Sequence, residues 1–333
     1  MAESSMVGLM IVEESVRAVE VRRPASKNPA LVRYGEVPLP PGVAGDGEVL
    51  DSDAVALALQ QLWAEGKFST RKVVLGVGNR RILVRDTSVP LLPMDQLRRS
   101  LPFQVQDVLP VPADEAVLDF YPIAEQTSPQ GTPEVRGLLV AAVADMVSEL
   151  IETVRKAKLT VDTVDLAPFG LVRAAARHLD PAQTVLVAHV GAHTSYLVVM
   201  RGGIPLLVRI VPAGVPVRQA EIGKHRKQIE ELLTSAAGDL AEEERLIEVF
   251  ADRVKSTVDF YRSRHPDPPL DAIHLCGEGA AHQEVIPAIE RVVGLPAKEL
   301  AVESVLTMKE SVGSGLRGLG LVTPAGLALR GGA

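Results

Sequence analysis

The sequence predicts an α/β protein in which one domain is duplicated and the first copy carries a small inserted α+β subdomain. Residues 187–203, VAHVGAHTSYLVVMRGG, consist of an apolar strand, a tight polar turn and a second apolar strand. Residues 7–23 have the same plan about 180 positions earlier, which indicates a duplication. Residues 72–144 have a different sequence pattern, in which strand-like segments surround a Pro-interrupted helix, and they therefore predict the insertion.

In the first copy, residues 35–51 predict a Pro/Gly-rich loop, and a helix then begins with its cap at Asp51 or Ser52. Residues 71–89 predict two strands of the inserted subdomain. They are followed by a helix over 92–110 and by further strands over 115–123 and 135–144. We then expect a helix from Asp145, a strand, and another helix before the second copy.

In the second copy, the charged segment near residue 250 predicts a helix whose apolar stripe packs into the core: Leu246, Phe250, Val254, Thr257 and Tyr261. Residues 271–296 predict a strand, a glycine turn and a helix that ends at Gly294 and Pro296. The apolar residues 318–330 predict a last helical segment.

Composition excludes several classes of protein. A hydrophobic fraction of 47% and a charged fraction of 23% are typical of a soluble globular chain. The net charge of -7 argues against nucleic-acid binding, and the basic residues 223–228 precede acidic residues, as on a solvated helix. The single cysteine fits a reducing compartment, and no apolar run approaches a membrane span. We therefore expect a cytoplasmic protein that reaches a membrane only through partners.

Two turns have the small residues that a phosphate cradle requires. Gly191 and Ala192, with the hydroxyls of Thr194 and Ser195, offer exposed N–H groups beside His193. The turn formed by residues 277–279, with Gly277 and Gly279, opens toward a helix and offers the same chemistry. Both patterns have low specificity, and ordinary tight turns between strands and helices are the favoured interpretation, with a phosphate cradle as the alternative.

Hydrolysis of ATP requires an acid that holds Mg²⁺ at these turns. The sequence has His189 and Met10 at the positions where such an acid would stand. Glu13, Glu14 and Glu278 place negative charge where phosphate oxygens would approach, and we expect them to repel the ligand.

Other catalytic constellations are weaker. A metal set drawn from His189, His193, His274 and Cys276 lacks ligand spacing beyond the His189/His193 pair. Cys276 lies in an apolar strand, where a buried and inert thiol is expected. No nucleophile elbow, Walker A loop or dinucleotide fingerprint is present in the sequence.

Four segments in order resemble the PilM family of type IV pilus assembly proteins, which is related to FtsA and to the cytoplasmic domain of the secretion protein GspL. The segments are residues 101–123, 187–214, 250–280 and 326–331, so the resemblance covers nearly the whole chain. It implies an actin-like fold of two RNase H-like domains with an FtsA/PilM-type insertion. The implied boundaries are 1–185 for domain 1 with its insertion at about 72–144, 186–306 for domain 2, and 307–333 for a helical segment that returns to domain 1.

The resemblance also indicates that the nucleotide motifs are degenerate. The family's first phosphate loop, D-I-G-S-S, aligns with residues 10–14, so both its acid and its glycine are missing here. The second loop, D-I-G-A-x-x-T, aligns with residues 189–195 and keeps Gly191 but has His189 in place of the acid. The triple glycine aligns with residues 277–279, and the helix that supplies an acid and a lysine to the nucleoside is not recognisable after Gly214.

We therefore expect a non-catalytic PilM-like scaffold, without cofactor or metal. Its partners would be a PilN-like single-span membrane protein and other pilus alignment or platform components, with self-association left open. The alternative is an ATP-binding PilM ATPase whose residual site holds Mg-ATP; an FtsA-type cell-division role would need a C-terminal amphipathic helix. In the family, a groove beside the inserted subdomain binds the cytoplasmic N-terminal segment of PilN, and candidate contributors here are Phe103, Val105, Val108, Leu118, Phe120 and Tyr121.

Overall fold

The computed structural model describes residues 4–45, 47–109, 111–216, 229–265, 268–308 and 316–330, with the backbone alone at 229–240 and 316–317. The predicted basic helical face at 223–228, most of the segment that follows Gly214, and residues 331–333 lie outside the described residues.

The strands, in chain order, are β1 (Ser5–Ile11), β2 (Ser15–Arg22), β3 (Ala30–Pro38), β4 (Ala44–Gly45), β5 (Glu48–Val49), β6 (Lys72–Val77), β7 (Leu83–Pro90), β8 (Ala116–Thr127), β9 (Pro133–Val143), β10 (Thr160–Leu166), β11 (Thr184–His189), β12 (Ser195–Arg201), β13 (Ile204–Val211), β14 (Ala272–Cys276), β15 (Ala297–Glu299) and β16 (Thr307–Met308). The helices are α1 (Ser52–Gly66), α2 (Met94–Val105), α3 (Ala144–Lys156), α4 (Ala167–Ala175), α5 (Ile229–Arg264), α6 (Val285–Val293), α7 (Val302–Val305), α8 (Leu316–Gly320) and α9 (Val322–Ala328).

Two large sheets share one topology. The first has the order β10-β6-β1-β2-β3-β16 and the second the order β13-β12-β11-β14-β15. Each sheet begins with three consecutive antiparallel strands, β1 to β3 in the first and β11 to β13 in the second. The next strand of the sheet, β6 or β14, pairs in parallel with the first of these three, and a further parallel strand, β10 or β15, pairs with it in turn. The repeated strand–turn–strand pattern of the sequence therefore marks a true structural duplication.

A smaller sheet of order β7-β9-β8 packs against α2 and forms the inserted subdomain. β6 lies in the first large sheet, between β1 and β10, and not in this insertion. The predicted lower boundary at residue 72 is therefore too early, because only a short turn, residues 78–82, separates β6 from β7. The predicted loop over 35–51 also begins too early, because residues 35–38 pair with β2 as the end of β3.

Helices α4 and α9 lie between the two large sheets and fill the centre of the molecule. α9 packs on β1, β2 and β6, whereas α4 packs on α9 and reaches β11 to β13 of the second sheet. The outer faces are covered by α1 and α3 on the first sheet and by α5 and α6 on the second. This layered arrangement makes one continuous apolar core of the first domain and the inner face of the second sheet.

Local chemistry explains the helix ends. The Asp51 carboxylate accepts hydrogen bonds from the backbone N–H groups of Asp53 and Ala54, each at 3.0 Å, and so caps α1 as predicted. Gly294 ends α6 with a φ of 72°, in the left-handed region that glycine adopts without strain. On α5, the predicted stripe is buried at Phe250, Val254 and Tyr261.

The contact between α4 and α9 depends on glycine, and this generates a first prediction. A Cβ at Gly326 would overlap the carbonyl oxygen of Gly170. Alanine at a helical position gains about 1 kcal/mol of helix propensity, but a backbone clash in the core costs about 3 kcal/mol or more. We expect Gly326→Ala to lower the free energy of unfolding by about 2 kcal/mol in urea titrations.

The matched control is Gly45→Ala, whose Cβ would meet only the exposed Leu50 side chain, at 3.4 Å. It should change stability by less than about 0.5 kcal/mol. Equal effects of the two substitutions would contradict the close helix contact.

Candidate functional site

Two turns face each other across the cleft between the large sheets. The first turn, residues 12–14, joins β1 to β2, and the second, residues 190–194, joins β11 to β12. The cavity between them has a volume of about 40 Å³, room for a few water molecules. Small-molecule sites typically have volumes of about 300–1,000 Å³. The cleft is therefore nearly filled by the protein itself.

The structure divides the predicted cradle residues into two sets. Gly191, Ala192, His193 and Thr194 line the cavity. Ser195 is fully buried at the start of β12, and its Oγ accepts a hydrogen bond from the Gly191 N–H at 3.3 Å. Gly277 and Gly279 lie in the turn after β14 and do not line the cavity.

Four backbone donors at these turns are engaged within the protein, namely those of Val190, Gly191, Gly277 and Gly279. The Val190 N–H donates to the Cys276 carbonyl at 2.7 Å, and the Gly279 N–H donates to the Val190 carbonyl at 3.0 Å. The Gly277 N–H donates to the Leu319 carbonyl at 2.9 Å. A phosphate group would have to displace these bonds before it could use the same donors.

Close packing explains why the glycines remain. Gly277 has a φ of +85°, and a Cβ there would overlap the Val190 carbonyl oxygen. A Cβ at Gly279 would lie 2.7 Å from Val190 Cγ1, and one at Gly191 would overlap the Thr194 carbonyl oxygen. The backbone of the second turn therefore requires glycine whether or not a ligand binds.

The acidic residues of the first turn bridge the cleft. His193 Nε2 lies 3.2 Å from Glu14 Oε1 and 3.7 Å from Glu13 Oε1, so a side chain of domain 2 meets two carboxylates of domain 1. Burial raises the pKa of Glu14, an effect that His193 opposes. The expectation that these carboxylates stand free to repel a ligand is therefore incomplete, because they contact the imidazole that faces them.

A second bridge is buried. Arg17, on β2, contacts Glu278 of the glycine turn through Nη1 and donates from Nε to Glu36 Oε1 at 2.9 Å. Only 8% of the Arg17 side chain is exposed. Burial alone would lower the pKa of Arg17, but Glu278 and Glu36 raise it, so the guanidinium is charged. Glu278 thus contributes to a domain contact and is not an unpaired charge beside a phosphate site.

Tyr196 forms a third bridge. Its Oη donates a hydrogen bond to the Gly78 carbonyl at 3.0 Å, from β12 to the segment after β6. A Cβ at Gly78 would lie 2.6–2.7 Å from the tyrosine ring, so glycine is required there. Burial raises the pKa of Tyr196, and its hydroxyl is a neutral donor.

His189 occupies the position of the missing acid and is a core residue. It is 3% exposed, stacks on Tyr196 with ring centroids 5.2 Å apart, and has Nδ1 3.0 Å from Thr323 Oγ1. Burial, aided by Arg17, lowers the pKa of His189 to about 3, so its ring is neutral. Cys276 Sγ lies 3.9 Å from the same Nδ1, and burial raises the pKa of its thiol. Within the described ranges, no group of three His, Cys, Asp or Glu side chains is placed to hold a metal ion.

The predicted partner-binding residues lie in three different environments. Val105 is buried, and Val108 and Leu118 are partly buried, in the small core of the inserted subdomain. Phe103 is 77% exposed on α2. Phe120 and Tyr121 line a cavity of about 630 Å³ between the inserted sheet and domain 1, which we call the subdomain groove.

The walls of the subdomain groove combine aromatic and charged groups. Tyr121 and Phe169 of α4 form a tilted pair with centroids 5.1 Å apart, and Asp165 is paired with Arg173 at the rim. An adjoining cavity of about 160 Å³ extends the groove over Val117, a residue that is 48% exposed. Sequence reasoning missed Phe169, because the apolar pattern of α4 indicates only core packing.

No helix in the part of the chain that the structure describes is long and apolar enough to cross a membrane.

Comparisons with known proteins agree with this architecture. The family model described as type IV pilus assembly protein PilM matches residues 8–331. A solved PilM–PilN type IV pilus biogenesis complex is similar with a TM-score of 0.80 and 23% identity over 98% of each chain. The ethanolamine utilization protein EutJ from Carboxydothermus hydrogenoformans has a TM-score of 0.52 and 16% identity over 99% of this chain and 91% of its own.

The cytoplasmic domain of EpsL, an inner membrane component of the type II secretion system of Vibrio cholerae, has a TM-score of 0.51. Its identity is 10% over 99% of this chain and 97% of its own. The predicted actin-like α/β fold is confirmed.

Neutral His189 generates a prediction about pH. The folded pKa of about 3 lies below the ordinary value of 6.5, so the unfolded chain binds the proton first as pH falls. Its contribution to stability is complete above pH 6.5 and is lost progressively as the pH falls toward 3. Between pH 7 and pH 5 this amounts to about 2 kcal/mol, so His189→Gln should reduce the loss of unfolding free energy over that interval by this amount.

Urea titrations at both pH values provide the measurement, with the exposed His178→Gln as the control that keeps the wild-type loss. If His189→Gln lost as much stability as the wild type, the buried neutral state of this ring would be refuted.

The Arg17 bridge generates a third prediction. Arg17→Met leaves Glu278 without its buried partner, which typically costs about 3–5 kcal/mol of unfolding free energy. Glu278→Gln in that background should restore part of the loss, as a double-mutant cycle would show.

Arg81→Met is the control, because Arg81 pairs with Glu48 at 2.8 Å near the surface and should cost about 1 kcal/mol or less. A cost for Arg17→Met no larger than for Arg81→Met would argue against a structural role for the bridge.

Proposed function

The chain belongs to the PilM family of type IV pilus assembly proteins, and from that premise we propose that it is a scaffold of the pilus assembly machinery. In this proposal its two domains are held together by side chains and not by a nucleotide. Its subdomain groove binds the cytoplasmic N-terminal segment of a PilN-like membrane protein, and this partner holds the scaffold at the cytoplasmic face of the inner membrane.

The observation that carries the proposal is the set of three contacts across the cleft. His193 with Glu14, Arg17 with Glu278, and Tyr196 with Gly78 each join domain 1 to domain 2. The family resemblance implies that the phosphates of a bound nucleotide would bridge the two turns. Here an imidazole and two carboxylates lie at that bridge, and the remaining cavity of about 40 Å³ is far smaller than a nucleotide requires.

The residues of the cleft do not fit Mg-ATP. A magnesium ion requires oxygen ligands, whereas His189 is a neutral imidazole bonded to Thr323, and Glu278 is held by Arg17. Glu13 and Glu14 would face the phosphate oxygens with like charge, which costs binding energy in a partly buried site. We therefore assign the cleft no catalytic step.

The subdomain groove supports the partner assignment. The solved complex of a similar protein is described as a PilM–PilN complex, which makes a PilN-like segment the natural ligand. The groove presents an aromatic pair, Tyr121 and Phe169, and the aliphatic residues Val117 and Val140, so it offers pockets for apolar side chains of an extended peptide. β10 forms its wall as the edge strand of the first sheet and presents free backbone groups.

The test is binding of a labelled synthetic peptide that corresponds to the cytoplasmic segment of the PilN-like protein from the same genome. We expect saturable binding by fluorescence anisotropy and at least tenfold weaker binding for Phe169→Ala and for Tyr121→Ala, because each removes half of the aromatic pair.

Phe103→Ala is the matched control, since that ring is exposed outside the groove and its loss should leave affinity unchanged. Unaltered affinity in the two groove variants, or no binding by the folded wild type, would refute the assignment.

A further inference from the structure

A separate cavity lies on the other side of the inserted sheet, between β7, β13 and the C-terminal end of α5. Its volume is about 350 Å³, and we call it the edge groove. It shares no lining residue with the subdomain groove. Its lining includes Val84, Arg85, Leu206, Arg209, Phe260 and Arg264.

Both strands that form the edge groove are the last strands of their sheets. β7 pairs only with β9, and β13 pairs only with β12. Consecutive residues of each strand, 84–86 and 206–209, line the cavity. Successive side chains of a strand point to opposite faces of the sheet, so a cavity on one face would contact only every second residue. This cavity contacts consecutive residues and therefore lies along the edges of the strands.

No backbone hydrogen bond joins β7 to β13 in the described ranges, although the strands approach each other closely. The outward N–H and C=O groups of one of these edges can therefore pair with an extended segment that lies in the cavity. Only a polypeptide can use such a row of alternating donors and acceptors, which favours an extended peptide over a small molecule.

The charge of the edge groove selects the type of peptide. Arg85, Arg209 and Arg264 line it, and no carboxylate among the described residues lies within ion-pair distance of these three guanidiniums. The one lining carboxylate, Asp86, is already paired with Arg136, Nη2 to Oδ2 at 2.7 Å. A cavity with this excess of positive charge is unusual on a chain whose net charge is -7.

Two of these arginines are held in place by an aromatic ring. The guanidinium carbon of Arg209 lies 4.4 Å from the centroid of Phe260, and that of Arg264 lies 4.7 Å from the same centroid. A cation–π contact orients the planar guanidinium and leaves its N–H groups for a carboxylate, which it binds in bidentate geometry.

We propose that the edge groove binds an extended segment of a partner protein that carries carboxylate side chains on alternate residues. The segment lies in the cavity, along the free edge of β13. Its main chain pairs with a strand edge, its carboxylates meet Arg209, Arg264 and Arg85, and its apolar side chains contact Leu206 and Val84. This inference does not depend on the proposed function, because it uses different residues and a different partner.

The test uses the full-length protein and a fluorescein-labelled peptide of sequence Val-Glu-Val-Glu-Val-Glu. We expect saturable binding by fluorescence anisotropy, and at least tenfold weaker binding to the Arg209→Gln/Arg264→Gln variant. Arg291→Gln, an exposed arginine on α6, should bind like the wild type. A peptide N-methylated at alternate residues should also bind at least tenfold more weakly, because it cannot pair with a strand edge.

Three outcomes would overturn the proposal. They are no binding by the folded wild type, equal binding of Val-Lys-Val-Lys-Val-Lys, and insensitivity to N-methylation. Phosphatidylglycerol vesicles provide a further arm: retention that depends on Arg209 and Arg264, with no peptide binding, would assign the site to a lipid instead. The subdomain-groove variant Phe169→Ala should bind this peptide normally, so failure of either proposal is recognisable separately.

Discussion

The relation between the two domains depends on one buried cation, Arg17. Its guanidinium belongs to the first sheet and contacts a carboxylate, Glu278, of the turn that follows β14 in the second. A buried ion pair contributes little net stability compared with apolar packing, but separation of its partners leaves a charge unpaired and is costly. Opening of the cleft would break this pair, the Tyr196 bond to Gly78 and the His193 contacts together. We infer that these contacts together fix the angle between the domains.

Packing accounts for the glycines of the turns at the cleft. Gly191, Gly277 and Gly279 each have a neighbour that excludes a Cβ. Packing between the turns therefore requires the shape of this backbone, whether or not a phosphate binds there. Side-chain contacts within the chain join the two domains, and the two grooves lie beside the inserted sheet. The face of that sheet supplies Tyr121 to one groove, and the edge of β7 supplies Arg85 to the other.

Sequence patterns predicted the layout of the fold but not the contacts that hold the cleft. The pattern of an apolar segment, a polar turn and a second apolar segment located β1, β2, β11 and β12, and the cap at Asp51 located α1, because these signals are local. The Arg17–Glu278 pair was not predictable, since its partners come from different domains and nothing in either segment indicates the other. The edge groove was not predictable either, because its arginines lie on three elements that are distant in sequence. The boundary at residue 72 was wrong because β6 and β7 are close in sequence, and only the pairing of β6 with β1 and β10 assigns it to the first large sheet.

The most direct test of the central claim is the melting temperature of the pure protein with and without millimolar Mg-ATP. The measurement should be repeated with Arg209→Gln/Arg264→Gln, so that anion binding in the edge groove is not counted as binding in the cleft. A ligand at about 100 times its dissociation constant stabilises the folded state by about 2.7 kcal/mol, which corresponds to a shift of several degrees for a chain of this size. The account predicts no shift in that variant. A shift of several degrees that persists there and disappears with Gly191→Asp, in a variant that still folds, would show that the cleft holds nucleotide and would contradict the claim.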